Sequence, residues 1–85
     1  MADTVDIEVR FYSYFKDLTG CEQARESVPA GTPLGLLHDR LMARFPKLEP
    51  MKRSTLLAVG LDYQNRDYVL QPGDEVSLFP PVQGG

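Results

Sequence analysis

An α+β two-layer sandwich, with one sheet covered by one main helix, is predicted by three observations on this 85-residue chain. An opening stretch alternates strictly between apolar and charged residues, a central stretch repeats leucine at helical spacing, and the C-terminal part carries short apolar runs bounded by glycine and proline. Strands on both sides of a single helix bury one sheet face beneath it, because a sheet and a helix each present one apolar surface that must be covered.

From Val5 to Tyr12 the residues Val5, Ile7, Val9 and Phe11 are apolar, with Asp6, Glu8 and Arg10 between them. A period of two marks a strand buried on one face. Asp17-Leu18-Thr19-Gly20 supplies turn chemistry, and the stretch to Val28, with Ala24 and Val28 on one side among charged residues, reads as a hairpin partner at the sheet edge. Pro29-Ala30-Gly31-Thr32-Pro33 breaks the chain, and Thr32 followed by Pro33 reads as a helix N-cap and first helical residue. The helix runs from Pro33 to about Arg44, because Leu34, Leu37, Leu41 and Phe45 recur at spacings of three and four before Pro46 stops it. Each fully buried leucine of that stripe contributes about 1.5–3 kcal/mol.

A loop containing Pro46 and Pro50 leads to a buried strand over Ser54 to Val59, ended by Gly60. Between Gly60 and Gly73 the pattern is irregular and predicts a short strand or single turn. Pro72-Gly73-Asp74 is a turn, and Glu75 to Phe79 forms the last strand before Pro80 removes a backbone donor and ends the pairing. The order β, β, α, β, short β, β at this length fits a β-grasp, the ubiquitin-like arrangement, with a mixed sheet. In that fold the first and last strands lie side by side, so the C-terminal segment leaves from the middle of the sheet. Residues 1–81 are expected to form the domain and 82–85 a flexible tail.

Composition excludes several classes of function. One domain of this size has a modest core and no room for a large buried active site. No apolar run reaches the length of a membrane span, and Met1-Ala2-Asp3-Thr4-Val5-Asp6 lacks the features of a signal peptide, so a cytoplasmic protein without a membrane partner is expected. The net charge is −3 and the nine basic residues are dispersed along the chain, which argues against a nucleic-acid partner and for a basic protein surface. Cys21 and His38 are each alone of their kind, so neither a disulfide, nor a metal site, nor a catalytic triad can be assembled from them. His38 is expected on the solvent side of the helix and Cys21 is read as a bystander. Asp74 and Glu75 point apart as neighbours in a turn and strand, and Lys16, Lys47 and Lys52 read as surface charges.

The ending, Phe79-Pro80-Pro81-Val82-Gln83-Gly84-Gly85, carries the chemistry. Glycine loses the most freedom on ordering and offers nothing to pack, so Gly84 and Gly85 stabilise nothing; they suit a narrow place. Six residues from Pro80 to Gly85, extended at ~3.3 Å each, carry a carboxylate roughly 20 Å from the last strand. Pro80 and Pro81 restrict φ and favour an extended exit, lowering the entropy lost on threading. Alternation places Tyr12 and Phe79 together on the uncovered sheet face, an aromatic pair of the kind enriched at protein interfaces.

Leu57-Ala58-Val59, then Gly73-Asp74-Glu75-Val76 and Phe79-Pro80-Pro81-Val82-Gln83-Gly84-Gly85, closely resemble the MoaD family, the small sulfur-carrier subunit of molybdopterin synthase. The resemblance continues more faintly through Val9-Arg10-Phe11-Tyr12, Lys16 to Gly20 and the leucine-rich helix. It implies that an E1-like adenylating enzyme uses ATP to activate the Gly85 carboxylate and that a sulfur donor protein converts it to a thiocarboxylate. The large molybdopterin synthase subunit then uses the sulfur to build a dithiolene. The chain itself binds no cofactor and supplies no catalytic base in that scheme, and Tyr63 falls near the surface of Tyr12 and Phe79. Gly60 stands where many members have Asn, and the stretch from Asp62 to Tyr68 is unusually charged and aromatic. A carrier for another sulfur pathway, thiamin or amino-acid, and a ubiquitin-like protein modifier share the Gly-Gly end and remain alternatives, as does an interaction domain without tail chemistry.

Overall fold

A computed structural model describes residues 3–81. Val82, Gln83, Gly84 and Gly85, which carry the tail expectations, lie outside the described residues. The elements run β1 (Thr4–Phe11), α1 (Phe15–Thr19), β2 (Gln23–Pro29), α2 (Leu34–Arg44), a 3-10 segment (Pro46–Ser54), β3 (Leu56–Val59), β4 (Asp62–Tyr63) and β5 (Glu75–Phe79). The sheet order is β2-β1-β5-β3-β4, with β1 and β5 parallel and the remaining neighbours antiparallel. This is the mixed β-grasp sheet with its last strand at the centre.

The alternation in β1 does what its period requires: Val5, Ile7, Val9 and Phe11 are buried against α2 while Asp6 and Glu8 stay outward and accessible. Val76 and Leu78 of β5, Leu57 and Val59 of β3, and Val28 of β2 fill the same layer, opposite Leu34, Leu37 and Leu41 of α2. Fixed by β1, the hairpin puts β2 at the edge, as its sparse apolar pattern predicts. That edge is covered in part. Arg44 donates to the Arg25 carbonyl (3.2 Å), Arg40 to the Ser27 carbonyl (3.5 Å), and Thr32 takes the Pro29 carbonyl through both its N–H and its hydroxyl. Both arginines also hold the largely buried Glu26 carboxylate, at 3.3 and 2.7 Å. Such charges over a sheet edge oppose pairing with another strand.

Four local expectations are corrected by tertiary contacts. Residues 17–20 form the end of the short helix α1, which buries Phe15 completely and closes on Gly20 at φ +79°, a left-handed cap that glycine adopts without strain. Thr32 does not cap α2: its hydroxyl donates to the Pro29 carbonyl at 2.6 Å, and Pro33 occupies the cap position. The first helical N–H groups find distant acceptors instead, Leu34 on the Tyr68 carbonyl (2.7 Å) and Gly35 on the Arg66 carbonyl (2.9 Å). The loop expected between Pro46 and Ser54 is a 3-10 segment that buries Leu48.

The fourth correction is His38, which is 1 % exposed, not on the solvent side. It lies four residues after Leu34 and three before Leu41, inside the stripe that faces the sheet. Its Nδ1 is 3.0 Å from Nη1 of Arg66, and arginine can only donate, so Nδ1 accepts and the proton of the neutral ring sits on Nε2. That Nε2 has no hydrogen-bond partner among the described residues. Burial, and then the Arg66 charge, push the His38 pKa down from 6.5 to about 4. As pH falls below 6.5 the unfolded chain takes up the proton first. The contribution of neutral His38 is therefore complete above pH 6.5 and declines until about pH 4, a loss of roughly 3 kcal/mol. Urea unfolding at a series of pH values between 7 and 4 should show this decline, and His38→Asn, which keeps an acceptor for Arg66 but cannot titrate, should flatten it relative to the parent.

Candidate functional site at the exit of the last strand

Because β1 and β5 run parallel, with Phe11 opposite Leu78, their C-terminal ends emerge on the same side of the sheet. The Tyr12 N–H continues the ladder by donating to the Leu78 carbonyl at 3.2 Å. One position further, Tyr12 and Phe79 stack on the uncovered face with ring centroids 4.6 Å apart and planes 13° from parallel. Tyr63 joins them from the other side: β4 places it opposite Ala58, and its ring meets Phe79 edge-on at 6.3 Å and 74°. The three aromatics singled out from the sequence are therefore brought together.

Small residues make room beneath the rings. Ala58 pairs with both Ser77 and Tyr63, and Ala58 and Ser77 are buried although they lie on the uncovered face. Together with the rings they border a depression of about 330 Å³. Leu61, which the sequence reading did not single out, stands at its rim fully exposed, and Tyr63 is 68 % exposed. A signal for Leu61 was present: an apolar side chain set between Gly60, which turns the chain at φ +60°, and Asp62. Among the described residues no element covers this accessible cluster of Leu, Tyr and Phe, residue types of which the aromatics are enriched at protein interfaces.

The other end of the same face is acidic. Glu8 lies directly opposite Glu75, an arrangement that like charges disfavour, and Arg10 resolves it by donating to both carboxylates, to Glu8 at 3.3 Å. Asp74 points elsewhere, accepting from the Tyr68 hydroxyl and the Gln71 N–H, each at 2.8 Å, so it and Glu75 are separate, as the turn reading holds. The bond to Asp74 pushes the Tyr68 phenol pKa up. Pro80 and Pro81 follow Phe79 half-buried and without regular structure.

A larger groove of about 570 Å³, bordered by Met42, Pro46 and Lys52, lies between α2 and the 3-10 segment on the helix layer. It lies on the helix layer, away from the end of β5, and none of Tyr12, Tyr63, Phe79, Pro80 and Pro81 borders it. Cys21 is half-buried beside Thr19, and among the described residues no group of three His, Cys, Asp or Glu side chains is placed to hold a metal ion. No helix among those residues is long and apolar enough to cross a membrane.

The sheet order and the strand exit define a ubiquitin-like β-grasp domain. SAMP1 from Haloferax volcanii has the same fold at a TM-score of 0.81 and 22% identity, covering 94% of this chain and 99% of that one. Residues 9–85 match the ThiS family, and the chain belongs to that family. It is 30% identical over the full length of both chains to the human molybdopterin synthase sulfur carrier subunit, and 29% identical to that of Arabidopsis thaliana over 96% of this chain and 85% of the other. A Helicobacter pylori structure, a complex of subunits 1 and 2 of molybdopterin-converting factor, matches at a TM-score of 0.70 and 26% identity over 95% of this chain and 100% of that one.

The stack itself is testable in isolation. Aromatic pairs contribute about 0.5–1.5 kcal/mol beyond the area they bury, so a double-mutant cycle of Tyr12→Ala and Phe79→Ala, read by urea unfolding, should return a coupling energy in that range. A coupling near zero would mean that the two rings are neighbours without being partners.

Proposed function

We propose that the chain is the sulfur-carrier subunit of a molybdopterin synthase, delivering sulfur from a thiocarboxylate at Gly85. The observation that carries this reading is the parallel β1–β5 pairing, which ends β5 at an exposed aromatic surface just before Pro80-Pro81-Val82-Gln83-Gly84-Gly85. The family and the sulfur-carrier relatives support it.

Each step has a physical requirement that these residues meet. An α-carboxylate has a pKa near 3.5, so Gly85 is anionic at neutral pH and resists nucleophiles until one oxygen becomes part of a leaving group. An E1-like partner supplies this by joining the carboxylate to the adenylyl group of ATP, with release of pyrophosphate. A sulfur donor protein then provides the sulfur that displaces AMP and leaves a thiocarboxylate. Gly84 and Gly85 lack a Cβ, so their backbone can approach a nucleotide or a pterin closely, and the prolines stiffen the base of the tail. The large synthase subunit docks on Tyr12, Tyr63, Leu61 and Phe79 while the tail enters its active site. Catalysis belongs to the partners; this chain carries the reacting group.

Intact-mass spectrometry of the chain coexpressed with its own activating enzyme and sulfur donor should show sulfur in place of one oxygen at Gly85, and the species should vanish when Gly85 is deleted. Its absence while the activating enzyme is adenylating the chain would overturn the carrier reading, and Gly85-dependent isopeptide adducts on lysines would replace it with that of a protein modifier.

A further inference from the structure

We propose that Arg66 is a positioning residue for partner recognition: it fastens the loop after β4 to α2 and thereby holds Tyr63 against Phe79. The inference rests on the reading of the aromatic surface as the docking site and adds a residue on the opposite layer of the fold.

The need for such a fastening follows from β4 itself. Its two residues, Asp62 and Tyr63, form two pairs with β3, and Gln64 adds one further bond by donating its N–H to the Leu57 carbonyl at 3.1 Å. A strand this short does not hold its own position, since isolated two-stranded pairings are marginal at best in water. The far end of the connection is secured separately: Tyr68 accepts from the Leu34 N–H, and buried Leu70 donates to the Thr32 carbonyl. Between these anchors stands Arg66.

Its guanidinium spans one turn of α2. Nη2 donates to the Gly35 carbonyl and to Oδ1 of Asp39, and Nη1 donates to Nδ1 of buried His38, each at 3.0 Å. The Arg66 carbonyl accepts from the Gly35 N–H at 2.9 Å, so main chain and side chain grip the same segment. Lys52 from the 3-10 segment approaches the same Asp39 carboxylate at 3.5 Å. The helix surface is shaped for this contact. A Cβ on Gly35, in the first turn of α2, would lie 2.9 Å from both Cβ and Nε of Arg66, so the close approach is made possible by the missing side chain. A planar fork that meets a carbonyl, a ring nitrogen and a carboxylate at once is a task for arginine, which lysine cannot reproduce.

Removing the fork should therefore loosen β4 while leaving the central strands in place. In Arg66→Ala, hydrogen exchange of the Gln64 amide should rise about tenfold or more relative to that of Tyr12, which bonds to the central strand β5. His38→Asn, which preserves an acceptor for Arg66, should leave Gln64 protected, and His38→Leu should not. In parallel, capture of the large synthase subunit from the same organism by Arg66→Ala should fall in the same direction as capture by Tyr63→Ala. Unchanged exchange at Gln64 in Arg66→Ala would overturn the proposal outright. Faster exchange with capture lost only in Tyr63→Ala would overturn the positioning role. Faster exchange with capture unaffected in both variants would overturn the docking reading, and with it the recognition role, while showing that the fastening exists.

Discussion

The parallel pairing of β1 with β5 is the constraint on which the rest of the molecule depends. Two strands far apart in sequence lie side by side and point the same way, and everything between them must cross over to make that possible. The crossover supplies α2, which covers one face of the sheet. No other described element covers the opposite face, and β5 is placed at the centre of the sheet. An antiparallel arrangement of the same two strands would put Tyr12 and Phe79 at opposite ends of the sheet. In the parallel one they stack, and Pro80 and Pro81 follow beside them.

The proposed carrier role joins two features with different physical demands. A reactive terminus needs reach and little bulk, whereas recognition needs fixed side chains with buried supports. The rings of Tyr12, Tyr63 and Phe79 rest above Ser77 and Ala58, small residues on strands whose reverse faces are packed in the core. Tyr12 and Phe79 are thus held by the central strands, Tyr12 through its N–H bond to the Leu78 carbonyl. Tyr63 depends on a two-residue strand and on what ties down the segment after it.

Much of this was legible in the sequence because it is written in local periodicity. The alternation of Val5 to Phe11, the leucine stripe of α2 and the turn at Pro72-Gly73-Asp74 fix elements, faces and the strand exit. The aromatic trio followed from alternation for Tyr12 and Phe79, and from family resemblance for Tyr63. The remainder is decided by contacts between distant residues. Thr32 has the chemistry of a cap, yet the carbonyls of Arg66 and Tyr68 reach the helix end and serve its donors. His38, expected on the solvent side of the helix, is placed inward by its spacing from Leu34 and Leu41, where Arg66 supplies its hydrogen bond. The irregular stretch from Asp62 to Tyr68 carries no period of its own for the same reason, since its order comes from α2; Gly35, in the first turn of that helix, is a local sign of a close neighbour.

The most direct measurement is to titrate the large synthase subunit into isotopically labelled chain and follow the backbone amide resonances. A single docking surface built around the β5 exit predicts that Tyr12, Leu61, Tyr63, Ser77 and Phe79 shift or broaden, while Ala43 and Lys47 beside the groove on the helix layer do not. Perturbation confined to Ala43, Lys47 and their neighbours, with the aromatic face unaffected, would contradict it.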